Sequence, residues 1–410
     1  MTKLEQLIKE LCPNGVDYIP INKCIEKTEK INWKSETNSF QYIDLTSVNR
    51  DTHLIEDTIT INAENAPSRA QQIVLKNDIL LGTTRPMLKR YCIIPADYNN
   101  QICSTGFCVL RAKTSVVLTR WLFHNISSTA FFVHVEKNQQ GASYPAIAEK
   151  DVKSFKIPVP HLEVQAEIVK ILDNFTELTA ELTAELTAEL TARKKQYEYY
   201  RDFLLNFGRN GGVWQGNCEW RTIKLGDIGK ISMCKRIMKS ETSPDGDIPF
   251  YKIGTFGGEP NAYISKETFE KYKSMYSFPK KGDILISAAG TIGRTVVYDG
   301  EPAYYQDSNI VWIDNDETTV INRYLYYVYQ LSPWQISTGG TIARLYNDNI
   351  ANAKINIPTI KEQERIVSIL DRFDKLCNDI SEGLPAEIEA RRKQYEYYRD
   401  KLLSFEEVRT

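Results

Sequence analysis

No run of about 18 apolar residues, the length a membrane helix needs, occurs in this 410-residue sequence. The opening MTKLEQLIKEL is a short amphipathic pattern without the apolar centre of a secretory signal. Histidine is scarce: His53, His124, His134 and His161 are scattered, and the eight cysteines form no CxxC pair, so a zinc site is not expected. Cysteines of this kind read as reduced thiols of a cytoplasmic protein. Excess charge of one sign is also missing, with 51 basic and 53 acidic residues giving a net −2. Residues 1–155 carry 18 basic and 16 acidic groups and 208–355 carry 17 and 16, whereas 156–207 have 6 against 9 and 356–410 have 10 against 12. That balance permits nucleic-acid binding without requiring it.

Catalytic motifs are absent too. The sequence has no GxxxxGK[ST] phosphate loop, no HExxH, no glycine fingerprint for a nucleotide after a strand, and no [ND]PP[YF] tetrapeptide of amino-methyltransferases. SAAGTIG (287–293) leads from one strand pattern into another, RTVVY, where a phosphate cradle would want a helix, so it reads as a turn. No Ser/His/Asp or Cys/His order is legible. The chain reads as a binding component, not an enzyme.

What is present is a repeat. KIPVPHLEVQAEIVKILDNF (156–175) lies over KINIPTIKEQERIVSILDRF (354–373), and ARKKQYEYYRDFLLNF (192–207) over ARRKQYEYYRDKLLSF (390–405), both at an offset of 198 without a gap. Between them stands TAELTAELTAEL (179–190), a helical word whose leucines Leu178, Leu182, Leu186 and Leu190 fall near one face. Four residues advance about 400°, so this stripe drifts by roughly 40° per repeat. It maps onto Leu376, Ile380, Leu384 and Ile388, where Gly383 and Pro385 predict a kink or a short interruption. Two matched helices with apolar stripes suit an antiparallel pair. The larger segments repeat more loosely, KNDILL (76–81) resembling KGDILI (281–286) and GASYPAIAEKDV (141–152) resembling GGTIARLYNDNI (339–350). Their β-branched and aromatic runs alternate with Gly, Pro and Asn turns. The expected fold class is α+β: two pseudo-repeated α+β domains, 1–155 and 208–353, separated by helical segments 156–207 and 354–410 that form a coiled-coil spacer. GRNGGVWQGN (208–217) is read as the joint that starts the second copy.

Two variable domains, each followed by a near-identical helical segment, together resemble the specificity subunits of type I restriction–modification systems. The TAEL block resembles the branch of that family with such tetrapeptides in its central helix. The resemblance spans the whole chain. It implies that each variable domain is a target-recognition domain reading one half of a split site on double-stranded DNA. It implies further that the helices dock two modification (adenine methyltransferase) subunits, that restriction/translocase subunits join afterwards, and that S-adenosylmethionine, ATP and Mg2+ belong to those partners and no cofactor to this chain. It also gives the tetrapeptide a use: four residues lengthen a helix by about 6 Å, against about 3.4 Å per base-pair step, so repeat number would set the gap between half-sites.

Base reading needs donors and acceptors that reach a groove, and phosphate contacts need only donors. In the first domain GTTRPMLKRY (82–91) offers Arg85, Lys89 and Arg90, and NQQGASY (138–144) offers Asn138, Gln139, Gln140 and Tyr144. In the second, CKRIMK (234–239) offers Lys235, Arg236 and Lys239; Thr291 and Arg294, then Thr338, Thr341, Arg344 and Tyr346, occupy the places matching the first domain's. Any one of these is equally a solvated surface group. Tyr197, Tyr200, Tyr395 and Tyr398 recur in both helical segments, so they suit packing or partner docking better than base reading. Two other readings stay open at this point: a coiled-coil scaffold with two protein-binding domains, and a chain that itself methylates DNA.

Overall fold

The apolar run of DILL, Ile79 to Leu81, becomes a strand buried on both faces because its alternate side chains serve two cores. Ile79 and Leu81 join a cluster with Leu110, Trp121 and Phe131, while Leu80 joins another with Ile43, Val74 and Val109. DILI at 283–286 does the same: Ile284 and Ile286 meet Tyr324, Leu325 and Val328, and Leu285 meets Phe250, Tyr304 and Trp312. The structure is a computed structural model describing residues 2–206, 219–336, 344–379 and 382–408. The joint proposed at 208–217 lies outside the described residues.

The chain divides into two units: Met1–Glu185 with Ile388–Thr410, and Leu186–Glu387. In the first, one four-stranded sheet runs Ile25–Glu26, Phe107–Ala112, Ile79–Gly82, Tyr91–Ile93, all antiparallel. The other runs Ile59–Ile61, Phe40–Ile43, Gln101–Ser104, Ala70–Val74 and contains one parallel pair, Phe40–Ile43 with Gln101–Ser104. The second unit repeats this plan. Gly229–Ser232, Ile310–Asn315, Ile284–Ser287 and Thr295–Val297 form the antiparallel sheet. Tyr263–Ile264, Ile248–Tyr251 and Tyr304–Tyr305 form the other, again with one parallel pair. In each unit a short strand near the start of the recognition domain pairs with one just past its end, Tyr18–Pro20 with Lys156–Pro158 and Trp220–Lys224 with Lys354–Pro358. The fold class is α+β, as expected.

Good helix formers carry a single helix from Leu162 to Leu205, 44 residues, through the whole TAEL block. Its residues to Glu185 belong to the first unit and those from Leu186 to the second. The second copy is interrupted, as Gly383 and Pro385 predict: one helix spans Ile360–Asn378 and another Leu384–Leu402. A side chain at Gly383 would stand 2.6 Å from the Asp379 carbonyl oxygen and 2.7 Å from that of Lys375, so only glycine fits the break. Inside each unit the helices pair antiparallel. In the first, Thr176 meets the Tyr395 hydroxyl at 2.9 Å and Phe175 packs on Tyr398, while Val164, Ile168 and Leu172 share a core with Leu403. In the second, Tyr200 stacks on Phe373, and Leu204 and Leu205 share a core with Ile366 and Leu370.

The leucine stripe is not uniformly buried. Leu186 is 8% exposed, Leu182 and Leu190 are half-buried, and Leu178 is 60% exposed. The drift of a four-residue word on a 3.6-residue helix carries the stripe across its contact instead of along it. In the other strip Leu384 is buried, Ile388 half-buried and Leu376 exposed, and Ile380 lies outside the described residues.

Each recognition domain is fastened to its helix by the same buried amide. Gln165, fully buried, accepts from the Leu118 N–H (2.9 Å) and donates to the carbonyls of Val116 (3.0 Å) and Pro160 (2.8 Å). Gln363, 198 residues on, accepts from Ile321 N–H (3.0 Å) and donates to Thr319 (3.1 Å) and Pro358 (2.9 Å). An ion pair accompanies each: Arg120 Nε with Asp173 at 3.0 Å, and Arg323 Nε with Asp371 at 2.7 Å.

Candidate nucleic-acid interface

Three loops meet at one end of each recognition domain, and backbone bonds fix the meeting. In the first, the Thr83 N–H donates to Gly106 and the Thr83 carbonyl accepts from Ile147, which ties the turn after Ile79–Gly82 to the 104–107 turn and to the 138–147 segment. In the second, Ala288 donates to Asn309 and accepts from Leu345 in the same way. The segments singled out from sequence therefore converge within each domain.

In the first domain a tight turn, closed by paired bonds between Gln140 and Ala146, lifts Tyr144 to 71% exposure. Gly141 takes a φ of 97°, a conformation that suits glycine. Arg85, itself left-handed at φ 48°, donates its N–H to the Pro145 carbonyl, and its guanidinium lies 4.4 Å from the centre of the Tyr144 ring. The stack holds the cation in place, and the guanidinium makes no hydrogen bond among the described residues. Lys89 lies 5.0 Å over Phe132. Gln140 is exposed, whereas Gln139 is half-buried and its Oε1 finds no partner among the described residues. Two candidates are committed elsewhere. Arg90 donates to the carbonyls of Leu45 and Val48, both at 2.8 Å, so it braces the 45–48 loop. Asn138 donates to the His134 carbonyl and closes the end of its helix.

In the second domain the arginines divide likewise. Arg294 donates to the Phe256 carbonyl and Arg344 to that of Ser308, each at 2.8 Å, and both order loops. Thr291 and Tyr346 are exposed, Tyr346 at 55%. Thr338 and Thr341 lie outside the described residues. Lys235 lies 5.0 Å over the Tyr276 ring. Beside the meeting point is a cavity of about 370 Å³ lined by Arg236, Lys239, Lys252, Gln306, Asp307 and Asn309 over the Phe250 ring. Sequence reading found Arg236 and missed Asp307, which lies 71 residues away and pairs with it at 2.9 Å. A motif search along the chain has no signal for such a pair.

The spacer tyrosines differ in placement. Tyr197 is buried and donates its hydroxyl to Gln330 at 2.7 Å, joining its helix to the second recognition domain. Tyr395 is half-buried, whereas Tyr199 and Tyr397 are 65% and 62% exposed. Among the described residues no group of His, Cys, Asp and Glu is placed to hold a metal ion, and no helix is long and apolar enough to cross a membrane.

The family profile for the type I restriction modification DNA specificity domain matches residues 8–192 and again 217–390. The chain belongs to that family. As a specificity subunit with two recognition domains it is the non-catalytic, DNA-recognising component of a multisubunit restriction–modification complex. It is 57% identical over 290 residues to a putative type I restriction enzyme specificity subunit of Haemophilus influenzae, covering 70% of this chain and 72% of that one. It is 38% identical over 275 residues to the EcoR124I/EcoR124II specificity subunit of Escherichia coli, covering 62% and 64%. The fold matches a chain from a solved type I restriction–modification complex with a TM-score of 0.73 at 24% identity, covering 96% of this chain and 98% of that one. It also matches the HsdS subunit of Thermoanaerobacter tengcongensis with a TM-score of 0.53 at 24% identity, covering 96% of each.

Proposed function

We propose that each recognition domain of this specificity subunit reads one half of a bipartite site on double-stranded DNA through its three-loop end. The observation that carries this reading is the repeated meeting of loops about Thr83 and Ala288, framed by the same backbone bonds but populated by different side chains. A constant frame with variable contents suits two readers of two different sequences. Domain 1 (residues 1–155) would use Arg85, Lys89, Gln140 and Tyr144, and domain 2 (208–353) Lys235, Arg236, Thr291 and Tyr346. Arg90, Asn138, Arg294 and Arg344 would act by holding the loops. The exposed parts of the helical segments, with Tyr200 and Tyr398, would dock two modification subunits, and restriction/translocase subunits would complete the complex in the cytoplasm. Those partners would bring S-adenosylmethionine, ATP and Mg2+.

The TAEL block would set the gap between half-sites. Deleting Thr183 to Leu186 brings Leu190 into the place of Leu186 within about 40° of phase, so the helix survives and shortens by about 6 Å. Methylation by the assembled complex of duplexes differing only in gap length tests this. A gap preference shorter by one or two base pairs, with both half-sites unchanged, is the expected result; an unchanged preference refutes the spacer role. Deleting two residues instead rotates everything downstream by about 200° and should abolish assembly. Exchanging residues 1–155 for those of a relative should change one half-site only. A change in both would contradict independent reading by the two domains.

A further inference from the structure

We infer that Arg236 is the guanine-reading residue of the second domain and that Asp307 positions it; this rests on the proposed DNA readout. Three arginines stand around the loop meeting of that domain. Arg294 and Arg344 each give an amino group to a carbonyl of their own fold. Arg236 is bound differently. Its Nε donates to Asp307 Oδ2 at 2.9 Å, and among the described residues Nη1 and Nη2 have no protein partner. Its side chain is 68% exposed while that of Asp307 is 19% exposed, so the carboxylate is the fixed member and the guanidinium the presented one.

This is the geometry that bidentate reading requires. A guanine offers two acceptors, O6 and N7, on its major-groove edge, and a guanidinium matches them with two parallel N–H groups. Holding Nε removes side-chain freedom that would otherwise be lost on binding, and it leaves the two-pronged end available. The cavity beside the pair adds Lys239 and Lys252, cations suited to the phosphates that flank a read base. Among the described residues the first domain has no such pair at the matching place. Ser104, fully buried, stands two residues before Gly106 where Asp307 stands two before Asn309. A pair found in one domain alone is what a sequence-specific contact should be.

The test uses the complete complex with its modification subunits. Duplexes randomised across both half-sites are methylated, and the modified molecules are sequenced. Wild type should enrich two clusters of bases, one containing a guanine read by Arg236. Arg236→Ala and Arg236→Lys should each lose that guanine preference by on the order of 10- to 100-fold at one position, with the other cluster as in wild type. Lysine keeps the charge and loses the fork, so Arg236→Lys should retain affinity for non-cognate DNA. Asp307→Asn should weaken the same position by a smaller factor. An unchanged preference at every position, or an equal loss on all sequences, overturns the assignment and makes Arg236 a phosphate contact or a bystander. A wild-type complex that enriches nothing overturns the readout itself.

Discussion

Gln165 and Gln363 show how one buried amide can hold a domain to its helix. Each satisfies one backbone N–H and two carbonyls at the mouth of the helix, where no regular structure would pair them. Removing the amide leaves all three unmet. Gln165→Ala should therefore destabilise the first unit by about 3 kcal/mol, and Gln363→Ala the second by a similar amount. Thermal unfolding followed by local hydrogen exchange separates the two effects; a loss under about 1 kcal/mol would mean that water replaces the amide. His53 works in the opposite sense. Stacked on Tyr91 and desolvated, its imidazole is pushed down to about 4, so it stays neutral while the fold holds.

At the scale of elements, the leucines of the central helix give a graded series from one repeated word. Leu186→Ala, at 8% exposure, should cost about 2–3 kcal/mol, whereas Leu178→Ala, at 60%, should cost less than about 0.5. Chemical denaturation of the two variants decides whether the drifting stripe or a uniform seam describes the helix; equal costs would favour the seam. Helix pairing, the break at Gly383 and the two-domain repeat were legible in the sequence because each rests on local periodicity or on residues written twice. The contents of the loop meetings were legible only as segments. Whether an arginine faces a groove or a carbonyl depends on residues brought near by folding: Arg90 resembles Arg85 in sequence, yet the carbonyls of Leu45 and Val48, more than forty positions upstream, occupy it. Gln165 and Gln363 could have been found, since the 198-residue offset aligns them, but a glutamine in a helical pattern carries no sign of its own burial.

At the scale of the whole molecule the two units differ in how they answer acid. All four histidines belong to the first unit. An unfolded imidazole titrates near 6.5, above His53 in the fold, so the unfolded state takes up the proton first. The stability His53 contributes is full above about pH 6.5 and is lost as pH falls towards 4. Burial lowers His124 in the same direction, against the opposing pull of Asp173. Between pH 7 and 5, protection from hydrogen exchange, corrected for intrinsic rates, should fall in the first unit and hold in the second. His53→Asn, which tolerates the left-handed backbone there, should flatten the dependence; an unaltered slope would assign it elsewhere. The division of the chain also has a consequence in time. The second unit is one continuous stretch, Leu186–Glu387, but the core of the first includes Leu403, and Val16 pairs with Glu407. A ribosome delivers the first recognition domain early and its closing piece only after the second unit. The nascent first domain must wait, incomplete, while the second finishes, so a message cut before residue 388 yields a chain with one finished reader and one that cannot close.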